Sequence, residues 1–270
     1  MLDSFWKKLP QWSLMAAIAL LAPSQLAQAA PANTAPKRLT QFLTELETAA
    51  NNQDIATVRA AYGSDVTTAA GLNRGDLAQK LEMLWQQYDR LDYRVELQSW
   101  EQQGETLIAE TVTRIRGLRN AQGREVFLEA TLRSRQQIRG DKIMSQAMLS
   151  EQSKVYIGEN APRVEVNAPN EVEVGQNFNF DVIVKEPIGD DILMGTALEQ
   201  AVTPETYLSP QPLDLEILPA GGIYRLGEAP TTPEKRWLSA IVVRGNGMTL
   251  VSQRLNIVPA TAALSSSKEN

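Results

Sequence analysis

Residues 77–100 read LAQKLEMLWQQYDRLDYRVELQSW. In the first half Leu77, Leu81, Leu84, Trp85 and Tyr88 fall on one stripe at helical spacing. In the second half Tyr93, Val95 and Leu97 alternate with Arg94, Glu96 and Gln98. The apolar period drops from 3.6 to 2 within a few residues, so a helix gives way to a strand.

Upstream, Leu39, Phe42, Leu43, Leu46 and Ala50 mark one face of a helix that starts after Pro36. Asp54 can cap a short second helix carrying Ile55, Val58 and Tyr62, with Gly63 as its stop. Residues 64–75 read as a polar loop. Downstream come strand candidates at 106–118, at 124–138 and at 142–156. The face of the second carries Val126, Leu128, Ala130 and Leu132, and in the third Ile143, Ala147 and Leu149 share a facing. Three helices followed by a four-stranded antiparallel meander predict an α+β domain over 36–155, with the helices covering a curled sheet.

This element order, with the stretch at 77–100, resembles the nuclear-transport-factor-2-like (ketosteroid-isomerase-like) cone fold. The resemblance implies an internal cavity and a family that spans isomerases, cyclases, dehydratases and non-catalytic binding or dimerising modules. Its enzymes usually work with Asp, His or Tyr inside the cone, and no residue here matches a family catalytic Asp. The aromatics Tyr62, Trp85, Tyr88, Tyr93 and Phe127 are the candidates to line such a cavity and hold an apolar or planar ligand. Trp100 belongs to the same aromatic set. The alternative is that they simply fill a core.

A second constellation is basic. Arg114 and Arg116 share a face by strand parity, as do Arg133, Arg135 and Arg139. Side by side they make an arginine stripe on the sheet face away from the helices. Such a stripe suits carboxylates, phosphates, a symmetry-related copy or the second half of the chain. The competing reading is a solvated face paired with Glu110 and Glu129.

From residue 157 the pattern is all β. Val164 and Val166, then Phe178, Phe180, Val182 and Val184, alternate cleanly, and weaker strands read at 192–202, 213–218 and 222–226. Residues 237–243 are apolar on both faces, and Gly245-Asn246-Gly247 turns them into Met248–Val258 as a hairpin. These short strands predict a β-sandwich over 157–258, followed by a disordered tail at 259–270. The opening NEVEVGQNFNFDVIVKEP at 170–187 resembles an immunoglobulin-like domain, which implies a spacer or a protein-binding surface. Asp181, Glu186, Asp190 and Asp191 read as a solvated acidic loop and lack the spacing of a calcium loop.

Residues 1–29 read as a cleavable signal peptide. Lys7 and Lys8 precede the apolar run Leu14–Ala22, and Ala27-Gln28-Ala29 places cleavage before Ala30. No later segment is apolar for long enough to predict a membrane span. Residues 30–156 hold 16 basic and 16 acidic side chains, whereas residues 157–270 hold 8 and 15. That asymmetry supports a boundary near residue 155. The formal net charge of −6 argues against nucleic acid as a partner. With no cysteine and no histidine, thiol and imidazole chemistry are excluded, and no metal or cofactor is expected.

The order of leader, cone and sandwich resembles conserved exported proteins of photosynthetic bacteria without assigned activity, which implies the periplasm or the thylakoid lumen. The leading expectation is a non-catalytic exported module that binds a protein partner or itself. The alternatives are a carrier of a small apolar or lipid ligand in the cavity, and an isomerase- or cyclase-like enzyme using a buried carboxylate.

Overall fold

The computed structural model describes residues 29–68, 71–187, 189, 191–203, 214–218 and 221–260. The expected leader through residue 28, Asp190 and residues 261–270 of the expected tail lie outside them. Three helices form where the spacing places them. Helix α1 (Lys37–Asn51) begins behind Pro36 and buries Leu39, Phe42, Leu43 and Ala49. Helix α2 (Ile55–Ala60) is capped by the Asp54 carboxylate, which accepts from the Thr57 amide at 3.0 Å. Helix α3 (Arg74–Gln87) opens on a reciprocal capping box of Asn73 and Asp76.

Strands β1 (Ala30–Pro31) and β2 (Tyr62–Thr68) are short. Strands β3 (Arg90–Gln103), β4 (Thr106–Ala121), β5 (Arg124–Arg139) and β6 (Lys142–Ile157) form a long antiparallel meander. There follow β7 (Val164–Asn167), β8 (Glu171–Glu173), β9 (Asn177–Val184), β10 (Leu193–Ala201), β11 (Glu216–Ile217), β12 (Gly222–Glu228), β13 (Glu234–Arg244) and β14 (Gly247–Val258).

The expected fold class, a three-helix α+β cone plus a separate all-β sandwich, is overturned. Among the described residues 59% are strand and 18% helix, and one mostly antiparallel sheet of 11 strands runs through both halves of the chain. Its path is β1-β3-β4-β5-β6-β14-β13-β10-β11, with β2 on β6 and β8 on β14. Strands β6 and β14 make the join, paired antiparallel from Ile157–Met248 to Gln152–Gln253. The physical reason is the second edge of β6, a row of amides and carbonyls that must find partners. Parity assigns faces to a strand but says nothing of a neighbour about 100 residues away. The remaining strands form a separate three-stranded sheet, β12-β9-β7.

Two local expectations also change. Residues 62–68, read as a helix stop and part of a loop, form β2, which runs parallel to the start of β6 at Tyr62–Ile143, Thr67–Ser145 and Thr68–Gln146. Its polar sequence carries no alternation to reveal it. In β6 the common facing of Ile143, Ala147 and Leu149 fails, because pairing with β5 is irregular between Gln137 and Ile138 and again between Arg133 and Ser134. Each irregularity inserts a residue and flips the parity. Ile143 is buried, Ala147 is exposed, and Gln146, Met148, Glu151 and Ser153 face the helices.

The large sheet is covered on opposite sides at its two ends. Over β3–β6 the helices pack one face, around Leu39, Phe42, Leu43, Ala109, Ile138 and Ile143. Over β14, β13 and β10 the three-stranded sheet packs the other face, with Phe178, Phe180 and Val182 against Leu238, Ala240, Val251 and Leu255. Residues of opposite parity in β14, Arg254 among them, therefore face the helix side. The edge of β3 is sealed by α1. Asn51 donates to the Tyr93 carbonyl and accepts from the Tyr93 amide, and the Glu47 carboxylate accepts from the Val95 amide.

Candidate functional site

The space between the three helices and the meander is not filled. It holds a cavity of about 460 Å³, inside the usual range for small-molecule sites. Its wall is mostly apolar, with Leu43 and Leu46 from α1, Leu77, Leu81 and Leu84 from α3, and Leu128, Ala130 and Leu132 from β5. The stripe at 77–84 and the apolar face at 128–132 thus look at each other across empty space.

Two polar groups of side chains interrupt this wall. At one, the Tyr62 hydroxyl donates to Gln146 Oε1 at 3.3 Å, and burial pushes the phenol up to about 12. Gln136, adjacent to Gln146 across β5 and β6, is 5% exposed, and its Oε1 has no hydrogen-bond partner among the described residues. At the other, Arg254 of β14 donates twice to Glu151 of β6, at 2.7 and 3.2 Å. The guanidinium also lies 4.7 Å from the centre of the Trp237 ring. Beside this pair stands Lys80 of α3. Burial lowers its ammonium to about 8; Glu151 acts in the opposite sense, and Arg254 adds to the lowering.

The sequence-derived aromatics divide. Tyr62 and Tyr93 line the cavity. Trp85 is buried and donates from Nε1 to the Tyr93 hydroxyl at 3.1 Å. Burial raises the Tyr93 phenol to about 12, with that bond acting against the rise. Tyr88 ends α3, with Arg119 5.6 Å from its ring centre, and packs on Gly117, where a Cβ would come within 2.8 Å of the tyrosine ring. Phe127 points to the opposite face of the sheet and stacks on Tyr156, ring centres 6.3 Å apart. Trp100 donates to the Thr34 hydroxyl. Tyr88, Phe127 and Trp100 are not part of the cavity wall.

The five arginines Arg114, Arg116, Arg133, Arg135 and Arg139 are all exposed. Arg114 pairs with Glu96 at 2.6 Å, Arg133 with Glu110 at 2.9 Å, and Arg135 with Glu101. Among the described residues Arg116 and Arg139 have no ion pair, and Arg139 lines a shallow concavity with Arg38 and Gln102. Of the two carboxylates expected to pair this stripe, Glu110 lies on the arginine face, and Glu129 is exposed at the position across from Arg116. In the acidic loop, Asp191 pairs with Arg244 at 2.7 Å and Glu186 accepts from the Arg163 amide. Among the described residues no three His, Cys, Asp or Glu side chains converge as a metal site.

Sequence reading missed Lys80, Glu151 and Arg254. Lys80 was legible, because it stands at i+3 from Leu77 and i−4 from Leu84, on the apolar stripe itself. The Glu151–Arg254 pair spans 103 positions and left no local signal.

Comparisons with known proteins add little chemistry. Residues 159–258 match a family described as a domain of unknown function, DUF8623. No curated protein matches the chain. Among solved structures, Bd1075 of Bdellovibrio bacteriovorus is 20% identical over 41% of this chain and 38% of its own, with a TM-score of 0.30. An LEH-like epoxide hydrolase from M. tuberculosis is 15% identical over 40% of this chain and 78% of its own, at 0.30. An IdmH variant truncated in its 96–104 loop is 18% identical over 40% and 89%, at 0.29. The chain spans about two-fifths of the Bdellovibrio protein, and no activity follows from likeness at these scores.

Proposed function

We propose that the protein binds a small, largely apolar molecule in the cavity between its helices and its sheet. The observation that carries this is the 460 Å³ space walled by α3 and by the inner faces of β3–β6. Apolar surface left without packing partners forfeits dispersion contacts, and a fitted ligand restores them. Both carboxylates of the wall are engaged in holding structure, Glu47 by the Val95 amide and Glu151 by Arg254. This favours binding over acid–base chemistry. The arginine face is the weaker candidate, since three of its five side chains are already matched by carboxylates on the same sheet.

The test is uptake of a neutral apolar probe, dodecanol, by the full chain, with Ala130→Trp as the control that fills the cavity. Saturable binding to the natural chain and its loss in the folded variant support the proposal. Absence of uptake, or equal uptake by both, ends it. We place this activity in an exported compartment on the strength of the leader-like residues 1–29. The expected new N-terminal residue, Ala30, pairs with Trp100 in β1. N-terminal sequencing of the native protein should begin at Ala30, and a protein beginning at Met1 contradicts the export reading.

A further inference from the structure

The charges around the cavity are not those of the chain. The sequence carries a net charge of −6. Yet the cavity wall includes the cations Arg59, Arg74, Lys80 and Arg254 against the carboxylates Glu47 and Glu151. Glu47 is held at the β3 edge by the Val95 amide. Glu151 is held by Arg254. Positive side chains in a cleft wall of low polarity focus their field into the cleft. Lys80 stands in this wall, where burial disfavours its ammonium, the Glu151 charge favours it and the Arg254 charge disfavours it. An anion placed beside Lys80 would favour its charged form against that burial.

We infer that the ligand is an apolar molecule bearing one anionic group, in its simplest form a carboxylate, seated beside Lys80 and Arg254 with its apolar body along the α3 and β5 leucines. This rests on the reading of the cavity as a binding site. It goes beyond that reading by fixing the charge, the polarity and the orientation of the occupant. An ammonium that reaches a carboxylate in such surroundings makes a charge-assisted hydrogen bond, which a neutral alcohol of the same length cannot match. The position of Arg254 has a further meaning. It belongs to β14, so the matched domain of residues 159–258 supplies one cation of a cavity built otherwise by the preceding half.

The experiment compares dodecanoate with dodecanol, at concentrations below micelle formation, by titration calorimetry on the full chain. The natural chain should bind dodecanoate about ten-fold more tightly or better, as a charge-assisted bond implies. Lys80→Gln should shrink that preference to near parity. Arg254 is left intact because removing it would strand Glu151. Equal affinity for the two probes overturns the inference but leaves the cavity as a binding site. So does an undiminished preference in Lys80→Gln. Dodecanoate bound equally by Ala130→Trp places the anion elsewhere and overturns the inference. Binding of neither probe overturns this inference and the proposed function together.

Discussion

Lys80 is a cation set among leucines, and its cost depends on pH. Its ammonium titrates near 8 in the folded chain against 10.5 when unfolded. Between those values the unfolded chain holds the extra proton, so stability rises with pH across that window. Below about pH 8 the full burial cost is present. Lys80→Met should therefore stabilise the empty protein at pH 7 by up to about 3 kcal/mol, and the gain should vanish above about pH 10. Urea unfolding at both pH values checks this, and a gain independent of pH would contradict it. Gln136 makes a parallel case without charge. Its buried Oε1 meets no donor among the described residues, so Gln136→Met should raise stability by about 1 kcal/mol or more, read in the same unfolding experiment. At this scale Tyr62 and Tyr93 were legible as cavity residues. Trp85, Tyr88 and Phe127 were not separable from them, because aromatic content does not reveal which way a ring points.

At the scale of elements, helix α3 forms one wall of the cavity, and its start is fixed by the Asn73–Asp76 box. Asn73→Ala should cost about 1 kcal/mol in thermal unfolding and loosen that end of the wall. Hydrogen exchange should show faster amides at Gly75 and Asp76, both of which donate to the Asn73 side-chain Oδ1 in the natural chain. The helices were readable because capping residues and 3.6-residue stripes are local. The four long strands were readable for the same reason. Faces within β6 were not, since its two irregularities against β5 reverse parity twice. That is how Ala147 is turned outward while Gln146 and Met148 line the cavity, and the second reversal restores the facing of Ile143 at Glu151.

At the scale of the molecule, the two halves are one sheet, joined by the β6–β14 ladder and by the Glu151–Arg254 pair on its helix side. Arg254 is 1% exposed at its side chain, so removing one partner leaves a buried charge. Arg254→Met alone, or Glu151→Leu alone, should cost about 3–5 kcal/mol, and the double variant should recover most of that loss. Chemical denaturation of the four proteins gives the coupling directly, and additive losses would refute it. Nothing in the sequence announced this union. Each half has its own apolar pattern, and the pairing of β6 with β14 depends on an edge whose partner lies far along the chain.

That distance has a consequence for the order in which the protein comes into being. A ribosome makes the helices, the meander and Glu151 roughly a hundred residues before it makes Arg254. Until β14 emerges, the flank of β6 stays unzipped and the acidic side chain in the pocket has no guanidinium to meet. The nascent chain can fold its helix-covered part early, but the chamber acquires its last side only near the close of translation.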